Sequence, residues 1–147
     1  MSIEDDVALL ERVPTLRLLG MAALRMVAIG SEQRDVGRGD VLFQQGDDAD
    51  AGFIVQRGAF RIEDGAGAEI IAGPGALIGE LALIAAMQRP STATALEHSS
   101  VIRVARSLFQ RVLESDPAAA RRLRDEFANR TSQIASDILM AGAKLST

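Results

Sequence analysis

Ile78-Gly79-Glu80-Leu81-Ala82-Leu83-Ile84-Ala85-Ala86-Met87-Gln88-Arg89-Pro90-Ser91-Thr92-Ala93-Thr94-Ala95 is the stretch on which the reading of this chain turns. It opens on a glycine and a carboxylate and passes through an apolar, alanine-rich run from Leu81 to Met87. It then reaches Arg89 and continues into small, β-prone residues. A glycine and an acid at the start of one helical turn, followed soon by a cation, suit a sugar phosphate. Glycine lets backbone N–H groups come close, and the first N–H groups of a helical turn have no partner within it, so they attract an anion. An arginine can close over the phosphate with charge-assisted hydrogen bonds. Glu80 would repel a phosphate and is better matched to the hydroxyl donors of a ribose. The bland alternative is a strand, turn and helix start in which Glu80 is a solvated carboxylate and Arg89 a surface charge.

On the N-terminal side of this stretch the chain reads as short strands and turns. Glu32–Val36, Val41–Phe43 and Phe53–Gln56 are separated by the turns 37–40 and 45–48. Ala59–Glu63 and Glu69–Ala72 flank Asp64-Gly65-Ala66-Gly67, a hairpin signal. Beyond the stretch, Ser91–Leu96 and Val101–Ala105 are expected to pair around the turn Glu97–Ser99. Strands this short, at regular spacing, predict a barrel or jelly roll. Before them, residues 3–12 read as an amphipathic helix carrying Ile3, Val7 and Leu10, which Pro14 breaks. Apolar residues at helical spacing then predict one helix from Thr15 to Ile29, stopped by Gly30. After the barrel come a short helix, Ser107–Leu113, and a helix start at Ser115-Asp116-Pro117, with Asp116 as N-cap. That last helix can run to about Met140, roughly 35 Å at 1.5 Å per residue. Phe127, Ile134 and Ala141 recur along it every seven residues, as do Thr131, Ile138 and Leu145, and Leu123 extends the stripe. A helix folded back on its own barrel is the other reading of that pattern.

The Gly79-Glu80-Leu81 start, the apolar turn, Arg89 and the strand after it resemble the phosphate-binding cassette of the cyclic nucleotide-binding domain family. Gly39, Gly46 and Gly58 match the glycines at that family's sharp barrel turns. The resemblance covers nearly the whole chain, from Leu9 to about Ala141. It implies a mainly β fold with flanking helices: a β-barrel or jelly roll (double-stranded β-helix) with N-terminal helices and a long C-terminal helix. On this reading residues 1–147 form one domain, with helices over 3–30, the barrel over 31–105 holding the cassette 78–95, and helices over 106–141. The implied ligand is cAMP or cGMP, with no further cofactor. Glu80 would hold the ribose 2′-hydroxyl, and Arg89 the cyclic phosphate, assisted by N–H groups of Gly79–Leu81. Ile70, Leu77 and Ile78 would line the apolar side. Thr131 and Ser132 resemble a pair that reaches the base from the dimer helix in the cyclic-AMP receptor protein branch. The resemblance also implies a homodimer through helix 117–141 and a stand-alone sensor without the helix-turn-helix, acting on a separate, unknown protein effector.

Pro90 departs from the family pattern, which has Ser, Thr or Ala there and offers the phosphate a backbone N–H. Proline has none. Each lost hydrogen bond to a charged group is worth on the order of 1.5–3 kcal/mol. Ser91 stands one residue further on, and in a strand it would point to the opposite face. Weak binding, a different cyclic nucleotide, or a degenerate fold serving as a ligand-free scaffold or dimerisation domain are the three consequences.

Composition closes off other classes. The 147 residues carry a formal net charge of −4 and only 3% aromatics. That balance argues against direct nucleic-acid binding, membrane binding and base stacking on aromatic platforms. No cysteine is present, which removes disulfides, thiolate chemistry and Zn–Cys sites. His98, the single histidine, lies in a turn-like stretch, so no enzyme is expected. With no signal-peptide pattern and no apolar run approaching a membrane span, the expected location is the cytoplasm.

Overall fold

The structure, a computed structural model, describes residues 2–129. Helix α1 (Ile3–Glu11) starts where Ser2 Oγ accepts the Asp5 N–H at 3.2 Å, with Glu4, Asp5 and Asp6 in its first turn. Carboxylates there oppose the positive end of the helix dipole, and Val7 and Leu10 turn inward. Pro14 does more than stop α1. It opens a second short helix, α2 (Pro14–Arg17), where a missing N–H is harmless. The single helix expected over Thr15–Ile29 is divided, because Gly20 takes φ +83° between α2 and α3 (Met21–Gly30). That left-handed conformation redirects the chain, and a side chain there would be strained.

Ten strands follow: β1 (Glu32–Val36), β2 (Val41–Phe43), β3 (Asp48–Ala49), β4 (Ala51–Arg57), β5 (Phe60–Glu63), β6 (Glu69–Ala72), β7 (Leu77–Ile78), β8 (Met87–Gln88), β9 (Thr92–Ala95) and β10 (Ser99–Ala105). They form antiparallel sheets in the orders β1-β10-β4-β7 and β2-β9-β5-β6, with a small β3-β8 ladder. This is the expected jelly roll with flanking helices. The β5-β6 hairpin forms as read, and the Asp64 carboxylate accepts the N–H groups of Ala66 and Ala68 at 2.9 and 3.0 Å. The expected pairing of the last two strands does not occur. β9 joins β2 and β5, whereas β10 joins β1 and β4, so the chain crosses between sheets at 96–98. Sequence adjacency favours a hairpin, but the two strands lie in different sheets, each contributing residues to the barrel core.

Helix α4 (Arg106–Ser115) and a further helix, α5, over 117–129 return the chain to α1–α3. Asp116 Oδ1 accepts the Ala119 N–H at 3.1 Å, the expected N-cap. Leu123, expected on an intersubunit stripe, is instead buried with Ala119 among the helices of its own chain, with Phe127 packed beside them. Arg122 donates to the carbonyls of Leu18 and Leu19 at 2.7 and 2.9 Å. Thr131, Ser132, Ile134, Ile138, Ala141 and Leu145 lie outside the described residues. One apolar core lies between the helices and the outer face of β4 and β10, and a second fills the barrel.

Candidate ligand-binding site

A cavity of about 380 Å³ opens in the barrel between β6, β7 and the segment 79–91. Its size suits a small organic ligand. Gly79, Glu80, Leu81, Arg89 and Ser91 all line it, as do Ile70, Leu77 and Ile78. The structure thus brings together every candidate site residue except Thr131 and Ser132, which fall outside the described residues. Ile70 and Leu81 are 66% and 54% exposed, so they form an apolar rim rather than a closed wall.

The cassette is built locally. Gly79 takes φ +78° and turns the chain from β7 into a 3₁₀ turn, Glu80–Leu83. Ala82 and Leu83 anchor that turn in the protein, and Gly52 of β4 lets Leu83 lie directly on the strand. A β-carbon on Gly79 would stand 2.5 Å from Arg89 Nη1, so only glycine leaves room for the guanidinium.

Arg89 is not a surface charge; it is 5% exposed. Its backbone is clamped on both sides, its N–H donating to Asp47 O at 2.7 Å and its carbonyl accepting from Gly46 N at 2.8 Å. The β3-β8 ladder, too short to announce itself in sequence, sets up this clamp. Its Nη2 donates to Ala51 O at 2.8 Å, and the guanidinium lies 4.2 Å from the Phe43 ring centre and 5.5 Å from that of Phe53. Cation–π attraction in a dry site is worth about 2 kcal/mol. Nε is buried without a hydrogen-bond partner, and no carboxylate among the described residues forms a salt bridge with Arg89. Burial pushes its pKa below the ordinary guanidinium value, while Asp50 and Asp47 act in the opposite sense and Arg103 adds to the lowering. The group still stays charged at neutral pH. A desolvated cation held by rings and a carbonyl is poised for an anion.

Glu80, half-buried, accepts the hydroxyl of Thr15 on Oε1 at 2.9 Å. Pro90 and Ser91 form a bend ahead of β9, which starts at Thr92 and not at Ser91. The alternation that would have turned Ser91 away therefore does not apply, and both residues line the cavity. Four contributors carry no signal in the sequence: the rings of Phe43 and Phe53, Thr15, and Arg106. Arg106 Nη1 donates to Ala49 O, Ala82 O and Ala85 O at 2.8, 3.2 and 3.0 Å and so ties the cassette to the start of α4.

The cyclic nucleotide-binding domain model matches residues 33–116. The chain belongs to this family. Among its relatives is a cyclic nucleotide-gated potassium channel of Mesorhizobium japonicum, 30% identical over 87% of the chain and 36% of the channel. The chain spans about a third or less of the length of the curated relatives it matches. A cyclic nucleotide-binding-like protein from Brucella abortus is 37% identical, with TM-score 0.67 over 75% of this chain and 98% of that one. The N-terminal domain of a transcriptional regulator from Streptomyces coelicolor is 27% identical, with TM-score 0.80 over 88% of this chain and 94% of that one. Among the described residues no helix is long and apolar enough to cross a membrane.

Proposed function

We propose that the chain is a non-enzymatic regulatory module that binds a cyclic nucleotide, cAMP or cGMP, in the barrel cavity. The observation that carries this reading is Arg89: a buried cation with no carboxylate partner among the described residues, beside Glu80 on one small cavity. Arg89 neutralises the cyclic phosphate, with N–H groups of Gly79–Leu81 assisting. Glu80 accepts the ribose 2′-hydroxyl, and Ile70, Leu77, Ile78 and Leu81 flank the base and sugar. Titration calorimetry with cAMP and cGMP tests it. Binding by the wild type that disappears in both Glu80→Ala and Arg89→Ala supports the reading; no heat with either nucleotide defeats it.

The second reading, a ligand-free scaffold, is favoured by Pro90, which lines the cavity without an N–H to offer. Pro90→Ser separates the two. If the pocket works but is handicapped by one donor, the variant tightens binding by on the order of tenfold.

The proposal extends to a cytoplasmic homodimer through helix 117–141 that acts on a separate effector. Because Ala119 and Leu123 are committed to the protomer's own core, its seam rests on Ile134, Ile138 and Ala141. Thr131 and Ser132 would reach the base from that helix. Sedimentation of the wild type against Ile134→Asp tests the dimer; a monomeric wild type rules it out.

A further inference from the structure

We propose that Thr15, in the N-terminal helices and 65 residues from Glu80 in sequence, is a positioning residue that sets the pocket's selection for a ribose 2′-hydroxyl. This rests on the cyclic-nucleotide reading above. Thr15 is 4% exposed, and its hydroxyl lies 2.9 Å from Glu80 Oε1. An ionised carboxylate only accepts, so the hydroxyl must donate. A threonine in a helix ordinarily has a backbone carbonyl of its own turn to bond. Here the donor is turned outward from α2 to a side chain of the cassette.

The frame around Thr15 is fixed from several directions. Pro14 presets the first turn of α2, and Leu16 is fully buried. Arg122 of α5 holds the carbonyls of Leu18 and Leu19 just beyond it. A rigid helix therefore delivers a hydrogen bond to the long, flexible side chain of Glu80. A carboxylate keeps further acceptor positions after one such bond, so Thr15 orients Glu80 without using up its capacity for a sugar hydroxyl. Ordering that side chain before the ligand arrives is worth on the order of tenfold in affinity.

The consequence is specific to one ligand atom. Thr15 acts on the nucleotide only through Glu80, and Glu80 meets the sugar only at the 2′-hydroxyl. Removing the Thr15 hydroxyl therefore weakens cAMP and leaves 2′-deoxy-cAMP alone. Calorimetry of the wild type, Thr15→Val and Thr15→Ser against both nucleotides reads this directly. The wild type prefers cAMP by on the order of tenfold, Thr15→Val closes most of that gap by losing cAMP affinity, and Thr15→Ser keeps it. Thr15→Val with the wild-type gap intact, or with both ligands weakened alike, overturns the role of Thr15 while leaving nucleotide binding standing. A wild type that binds neither nucleotide overturns both. Because Thr15 is buried, a measurement on the unaltered protein accompanies the variants. Amide exchange of Leu16–Leu19 slows more with saturating cAMP than with saturating 2′-deoxy-cAMP, and equal slowing overturns the proposal even if Thr15→Val does not fold.

Discussion

The two apolar cores are packed with different residues. The core between helices and sheet buries Leu10, Leu16, Leu19, Leu24, Leu83, Leu108 and Leu123 around Phe109. The barrel core buries no leucine among the described residues and uses Ala51, Ala72, Ala93 and Ala95 beside Phe43, Phe53 and Phe60. Leucine fills the space between layers, whereas alanine leaves it. Of these alanines Ala72 lines the cavity, and the one buried cation of the described residues stands at its wall. The helices pack on one side of β4 and β10, and the barrel on the other side holds the cavity.

Four substitutions test this contrast, from the largest expected effect to the smallest. Arg89→Met removes the proposed phosphate partner and is expected to lower cyclic-nucleotide affinity by at least about a hundredfold in calorimetry. Its melting temperature holds or rises, because a buried charge without an ionic partner is a net burden that a well-packed apolar side chain relieves. A clear fall in melting temperature would mean that the guanidinium supports the fold rather than the ligand. Leu24→Ala, in the leucine-filled core and 1% exposed, loses about 2–5 kcal/mol in urea denaturation while the folded fraction keeps its affinity. Ala72→Leu, on the cavity wall, does the reverse: stability changes by less than about 1.5 kcal/mol, and affinity falls about tenfold or more as the side chain enters the cavity. Equal stability losses in the last two variants would erase the distinction between the cores. Asp116→Ala removes the cap on α5 and lowers stability by about 1 kcal/mol, with no effect on binding.

What could be read in the sequence was local. The glycine turn, Glu80, the apolar turn and Arg89 lie within one short segment, and the hairpin at Asp64 and the cap at Asp116 depend on neighbours a few residues away. The fold followed from strand length and spacing. Features joining distant segments were not legible. Nothing in positions 43 and 53 announces rings under Arg89, and no periodicity links Thr15 to a cassette formed much later in the chain. The two-residue β3-β8 ladder is below any alternation signal, and the separation of β9 from β10 was decided by burial across the barrel. Gly20 was visible, but a glycine inside an apolar helical pattern is usually tolerated. Only its positive φ made it a corner.

Arg106 ties several segments of this molecule together. A single nitrogen with two hydrogens serves three carbonyls, from β3, from the middle of the cassette turn and from just beyond it, while the Arg106 backbone N–H holds Asp50 O at 2.8 Å. These strands and turns share one knot at the root of α4. The segment leading to Arg89 is thereby tied to the same point as the helix behind it.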